Sequence, residues 1–185
     1  PEKAFVEIQK YGVSGVDGII GVRSVTVSPD GGHVYAAGYY SNAIAVFGRD
    51  SSTGALTFVE VKKNGVGSVD GLAGAYSVTV SPDGSHVYAT GSLDDAIVVF
   101  STDPSTGALT FVEVKKDGVG SIDGLDGAYS VTVSPDGSHV YAAGYFDSAV
   151  AVFSRDSSTG ALTFVEIQKD GVGGVDGLAY SNSVT

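Results

Sequence analysis

Apolar positions along this chain come in short runs separated by turn-forming residues. Between residues 76 and 116 the runs are Tyr76 to Ser81, His86 to Thr90, Ala96 to Ser101 and Leu109 to Val114, rich in Val, Tyr, Phe, Ile and Thr and bounded by Gly, Pro, Asp and Ser. β-Branched and aromatic runs punctuated in this way predict four strands. No run shows the 3.6-residue period of an amphipathic helix. The third run, Ala96-Ile97-Val98-Val99-Phe100, is apolar at successive positions, so both of its faces are expected to be buried. The fourth, Leu109 to Lys116, mixes apolar residues with Thr, Glu and Lys, as an outer edge does. Pro82-Asp83-Gly84 supplies a preset φ and a left-handed position for a tight hairpin, and Asp103 to Gly107 forms a longer one.

This pattern repeats. Ser-Pro-Asp-Gly begins at Ser28, Ser81 and Ser134, and Gly-Ala-Leu at Gly54, Gly107 and Gly160, each 53 residues from the last. A period of tens of residues marks solenoids, propellers or arrays. Four strands per unit, buried inside and wetter at the rim, predict an all-β propeller of tandem four-stranded antiparallel blades, with about three and a half repeats forming a partial ring. The predicted blades are 23–63, 76–116 and 129–169. The outermost strand of an incomplete blade is expected at 4–10, and an innermost strand at 183–185.

The segments VTVSPDGSHVYA, AIVVF and DPSTGALTFVE resemble the lactonase-like, YVTN-type β-propeller repeat of bacterial proteins, over essentially the whole chain. That resemblance implies sugar-lactone hydrolases, surface-layer proteins or secreted proteins as relatives, and an extracellular or cell-surface location. It does not choose among activities.

Composition narrows the partners. The net charge of −11 repels phosphate backbones, so nucleic acid and anionic membrane surfaces are not expected as partners, and no apolar run is long enough to span a bilayer, so no membrane insertion is expected. There is no cysteine, which removes disulfides and thiolate chemistry. The chain opens at Pro1 and reads as a processed product or an excerpt. Three full blades fall short of the four to eight that close a ring. Further blades of a longer chain, or a second copy, are therefore expected to complete it.

Differences between repeats point to candidate function. His33, His86 and His139 recur in every blade and are read as structural. Before the first strand the chain varies as Arg23, Tyr76 and Tyr129; between the second and third strands it reads Tyr39-Tyr40, then Leu93-Asp94, then Tyr145-Phe146. Antiparallel connectivity puts both sets on one face of the propeller. Loops on a rigid scaffold often carry binding function, so these nine residues are the candidate ligand site, for a protein or glycan partner. Arg23 has no matching His or Glu beside it, and no Gly-x-Ser-x-Gly elbow is present, so a non-enzymatic binding or scaffold module is expected. The alternatives are a sugar-lactone hydrolase and a purely structural surface array. No cofactor is expected. The recurring loop aspartates Asp17, Asp70, Asp123 and Asp176 are the only candidates for a metal, calcium, and they lack its usual ligand ladder.

Overall fold

The computed structural model describes residues 6–185, and among them it contains twelve strands and no helix. They form three four-stranded antiparallel sheets in chain order. Blade 1 is β1 (Val22–Val27), β2 (His33–Gly38), β3 (Ala43–Arg49) and β4 (Leu56–Lys63). Blade 2 is β5 (Ala75–Val80), β6 (His86–Gly91), β7 (Ala96–Thr102) and β8 (Leu109–Lys116). Blade 3 is β9 (Ala128–Val133), β10 (His139–Gly144), β11 (Ala149–Arg155) and β12 (Leu162–Lys169). β1 touches β5, and β5 touches β9, so first strands face one another at the centre while fourth strands form the rim.

The turn chemistry works as its sequence requires. In blade 2, Ser81 Oγ donates to Asp83 Oδ1 (2.6 Å), which also accepts from the Ser85 amide (2.9 Å), and the Gly84 amide donates to the Ser81 carbonyl (2.8 Å). Gly84 holds φ at 74°, which disfavours any residue with a Cβ. The third strands of blades 1 and 2 are buried on both faces, with Ile97, Val98, Val99 and Phe100 fully enclosed, whereas β11 of blade 3 alternates buried with half-buried positions.

Blades pack back on front. Tyr35, Ala37, Ile44 and Val46 on the back of blade 1 share a core with Leu72, Val78, Val87, Val98 and Phe100 of blade 2. Tyr88, Ile97 and Val99 on the back of blade 2 meet Leu125, Val131, Val140 and Phe153 of blade 3 in the same way. The front of blade 1 has no such cover, and its Val16, Val34, Ala36, Ala45 and Phe47 form a separate cluster. Val25 is accordingly 59% exposed, while its equivalents Val78 and Val131 are 4% exposed. Enclosing a valine fully is worth about 1.5–3 kcal/mol, so this open face is costly.

Among the described residues, the two terminal strands expected from the pattern are not formed. Ala4 and Phe5 lie outside the described residues; residues 6–10 and 183–185 are irregular. Each nevertheless occupies its position in the repeat. Glu7 accepts from the Leu56 amide, as Glu60 does from Leu109 (2.6 Å) and Glu113 from Leu162 (2.7 Å). The Val184 amide donates to Ser130 Oγ (3.1 Å), as the Val131 amide does to Ser77 Oγ (3.3 Å). A strand needs a hydrogen-bonded neighbour along its length, and neither segment has the second and third strands of its own blade.

Candidate functional site

The face carrying the β2–β3-type turns and the blade-to-blade connectors, here the connector face, is built by three recurring devices. The first is a register irregularity in the innermost pair of each blade. Val22 pairs with Gly38 and Ser24 with Ala37, leaving Arg23 as the extra residue. Ala128 pairs with Gly144 and Ser130 with Ala143, leaving Tyr129. In blade 2 the irregularity spans Tyr76 and Ser77. Bulges re-aim side chains, and here they bring Arg23, Tyr76 and Tyr129 together. The second is the clamp of the turn after β2, β6 and β10: the Tyr39, Ser92 and Tyr145 amides donate to the Gly21, Gly74 and Gly127 carbonyls, each at 3.1 Å. The third ties blades together: Asn42 Oδ1 accepts from Gly74 and Asp95 Oδ1 from Gly127, each at 2.8 Å, with Asn42 and Asp95 in the left-handed region.

The result is a continuous aromatic ladder. Tyr39 meets Tyr76 edge-on at 6.2 Å, Tyr76 stacks on Tyr129 at 4.4 Å with a 7° interplanar angle, and Tyr129 stacks on Tyr145 at 5.0 Å. The Arg23 guanidinium lies 5.4 Å from the Tyr39 ring and 5.7 Å from that of Tyr76, within cation–π range. Tyr40 and Phe146 meet Tyr39 and Tyr145 edge-on at 5.1 Å. Burial, followed by the neighbouring phenols of Tyr76, Tyr39 and Tyr145, pushes the Tyr129 hydroxyl up.

The structure therefore joins seven of the nine candidates into one array. The other two behave differently. Leu93 is exposed over Gly74, in the place of Tyr40 and Phe146, and Asp94 accepts the Ala73 amide at 2.8 Å.

Two ladder neighbours escaped the sequence reading. Tyr180 lies 5.3 Å from Tyr145 and extends the ladder. Its repeat equivalents are Gly21, Gly74 and Gly127, and Tyr180 keeps their left-handed backbone with φ at 54°. A bulky residue there is an outlier, and the glycine-to-tyrosine change was the available signal. Asp126 stands where the other repeats have Ile20, Ala73 and Ala179. Its carboxyl is pushed up by burial and then by Asp95, Asp147 and Asp117.

The aspartates considered for calcium divide. Asp17 pairs with Lys63 (2.7 Å) and Asp70 with Lys116 (2.9 Å). In blade 3 the corresponding lysine, Lys169, pairs with Asp147 instead (2.9 Å). Asp117, Asp123 and Asp147 each place an oxygen within 4.8 Å of the others, the one such acidic group among the described residues. Asp176 is exposed on the last connector.

Twelve strands in radial, back-on-front blades around a central aromatic face define a β-propeller. Residues 16–167 match the family described as Lactonase, 7-bladed beta-propeller, and the chain belongs to that family. Among curated proteins it is 26% identical over 158 residues to an uncharacterized protein of Staphylococcus epidermidis, covering 84% of this chain and 44% of that protein. Among solved structures it resembles the periplasmic gluconolactonase of Pseudomonas aeruginosa (TM-score 0.68, 24% identity, 81% of this chain and 40% of the other). It also resembles a candidate 6-phosphogluconolactonase from Bacteroides uniformis (TM-score 0.70, 24% identity, 84% and 42%). At that identity the likeness shows the fold. The chain spans less than half the length of these relatives.

Proposed function

We propose that the connector face binds a sugar lactone and that a complete ring built on this chain hydrolyses it. The observation that carries the reading is the ladder from Tyr39 to Tyr145 with Arg23 over its first rings, on a family scaffold whose solved neighbours include a gluconolactonase. Aromatic faces with a few convergent polar groups suit a partly apolar, hydroxylated ring. Arg23 offers planar, permanently charged donors that strengthen as the lactone carbonyl becomes a carboxylate. Two acids on this face have carboxyls pushed up, Asp126 and Asp117; Asp126 is the exposed one, and its backbone carbonyl accepts from the Phe146 amide (3.1 Å), so it is the candidate for proton exchange with water.

A second reading, a binding module without turnover, is favoured by one observation: the described contacts of the Arg23 guanidinium are aromatic, the rings of Tyr39 and Tyr76. Tyrosine emission reports binding directly, since the chain has ten tyrosines and no tryptophan. Titration with gluconate is expected to saturate. Arg23→Ala and Tyr76→Ala should each weaken it at least about tenfold, the size of one charge-assisted contact, while Ser105→Ala on the opposite face leaves it unchanged. Acid release from glucono-lactone above the spontaneous rate by the complete ring, lost in Asp126→Asn, supports the hydrolase. Saturable binding without such release supports the module, and absence of both removes the site.

A further inference from the structure

We propose that the cleft between blades 1 and 2, on the face opposite the ladder, is a receptor for a guanidinium-bearing ligand. The chain shows at its next blade junction what such a cleft holds. Between blades 2 and 3, Arg155 is buried with its side chain 1% exposed. Its Nε donates to Tyr88 Oη (2.8 Å), Nη1 to the Gly137 carbonyl (3.0 Å), and Nη2 to Asp83 Oδ2 (2.8 Å), Ser85 Oγ (3.2 Å) and His86 Nδ1 (3.0 Å).

One repeat earlier, Asp30, His33 and Tyr35 stand in the places of Asp83, His86 and Tyr88, but the place of Arg155 is taken by Thr102. Thr102 Oγ1 reaches the Gly84 carbonyl (2.7 Å), the equivalent of the Nη1 contact, and stops there. The volume that a guanidinium fills next door is a cleft of about 350 Å³, lined by Asp30, His33, Tyr35, Asp83, Thr102 and Asp103 among others.

The acceptors are left in place. Asp30 uses Oδ1 for Ser28 and Gly32, and Oδ2 has no partner among the described residues. Ser28 and the Gly32 amide hold its carboxyl below the ordinary carboxylate range, so it is ionised at neutral pH. Gly32 replaces the serine that meets His86 and His139, so the His33 ring has no hydrogen-bond partner among the described residues. Tyr35 Oη donates to the Gly107 carbonyl (3.1 Å) and keeps its lone pairs free to accept. A carboxylate, a ring nitrogen and a phenol oxygen on one wall match the planar fork of a guanidinium better than the compact donors of an ammonium, and the aspartates in the lining repel anions.

Calorimetric titration with methylguanidinium tests the site. Saturable binding is expected, at least tenfold tighter than methylammonium. Thr102→Arg should abolish it and raise the melting temperature by a few degrees, because the chain then supplies its own occupant. Asp30→Asn should weaken it at least tenfold with an unchanged circular-dichroism spectrum. Equal binding of the two cations, or methylguanidinium binding retained in Thr102→Arg, overturns the proposal. Agmatine and an acetylated Gly-Arg-Gly amide then separate the sources: tighter agmatine binding identifies a free guanidine, and tighter peptide binding an arginine on a protein.

The open end faces carry a second inference independently. We infer that two copies of this chain dock head to tail, the back of blade 3 on the front of blade 1, repeating the contact made twice inside the chain. The back of blade 3 offers Asp136, Ser138, His139 and half-buried Tyr141, the same set that receives Arg155 in blade 2. The front of blade 1 offers Arg49, whose Nη1 already holds the Gly31 carbonyl (3.0 Å) as Arg155 holds Gly137. Glu166 of one copy would replace Glu7 on the Leu56 amide of the other, as Glu60 and Glu113 do internally. The contact is heterologous, which fixes its test. Light scattering on the 185-residue chain should show concentration-dependent association. Val25→Glu, at a position 59% exposed on the front, and Val165→Glu, at one 53% exposed on the back, should each leave folded monomers. Mixed together, the two variants should form a one-to-one dimer, because each keeps the face the other lacks. A folded wild-type monomer at all concentrations, or no dimer on mixing, overturns it.

Discussion

At the residue scale, small differences between repeats predict measurable stabilities. Asn64 Oδ1 accepts the Leu72 amide at 3.0 Å, and in the next blade Asp117 Oδ1 accepts Leu125 at the same distance. Burial first, against the help of the Leu125 amide, and then Asp147, Asp123 and Asp95 push the Asp117 carboxyl up. A raised carboxyl contributes stability that is full below its unfolded value near 3.8 and lost as pH rises through the folded one, so at pH 7 the charge is a net cost. Asp117→Asn keeps the hydrogen bond and removes the charge. About 0.5 kcal/mol is expected, a melting-temperature rise of roughly 1–2 °C at pH 7 that disappears by about pH 3 in a pH series of thermal melts. The turn aspartates have the opposite sign: Ser158 and the Thr159 and Ser158 amides hold Asp156 at about 2, so its contribution is present above 3.8 and lost in acid. A second comparison separates covered from open blades. Burial pushes the Tyr88 hydroxyl up to about 12; it donates to the Gly160 carbonyl (2.9 Å) and accepts from Arg155 (2.8 Å). Tyr88→Phe strands a buried guanidinium donor and should cost about 1–3 kcal/mol. Tyr141→Phe, with no hydroxyl partner among the described residues, should be near neutral in the monomer by denaturant titration.

At the scale of the element, the hairpin between the third and fourth strands locks one blade to the last. Gly54, Gly107 and Gly160 all hold φ between 72° and 79°, so an alanine at any of them costs roughly 1–2 kcal/mol in left-handed strain. A Cβ at Gly54 meets nothing, whereas at Gly160 it would overlap the His86 ring, itself fixed by Arg155. Gly160→Ala is therefore expected to cost at least about twice what Gly54→Ala does, read from chemical-denaturation midpoints. Strands, turns and their order were legible because β-branched runs and Ser-Pro-Asp-Gly punctuation are local signals. The bulges at Arg23, Tyr76 and Tyr129 were not, since the register offset arises only when both strands are laid side by side. Residues 6–10 and 183–185, within the terminal strands expected at 4–10 and 183–185, are irregular for a related reason: their composition is right, but no neighbouring strand is hydrogen-bonded along their length.

For the whole molecule, the middle blade is the one covered on both sides. β6 is buried throughout, while β1 is mostly exposed and β12 alternates. Opening of β6 and β7 requires breaking two blade interfaces, so hydrogen exchange measured by mass spectrometry should be slowest there and fastest, among strands, in β1 and β12. Equal protection in all three blades would contradict the back-on-front account of stability. The sequence by itself determined the four-stranded unit, its 53-residue period, the family resemblance and the common face of the variable residues, because each follows from local patterning and from the parity of antiparallel connections. It also gave a binding module precedence over the lactone hydrolase, its alternative, which the family match backs better. Only the tertiary structure decided that the candidate tyrosines stack into one ladder with Tyr180 at its end, and that Asp17 and Asp70 are paired with lysines. It alone decided that Thr102 leaves vacant what Arg155 fills. Those contacts join residues tens of positions apart across blade boundaries, and no local pattern encodes the distance between them.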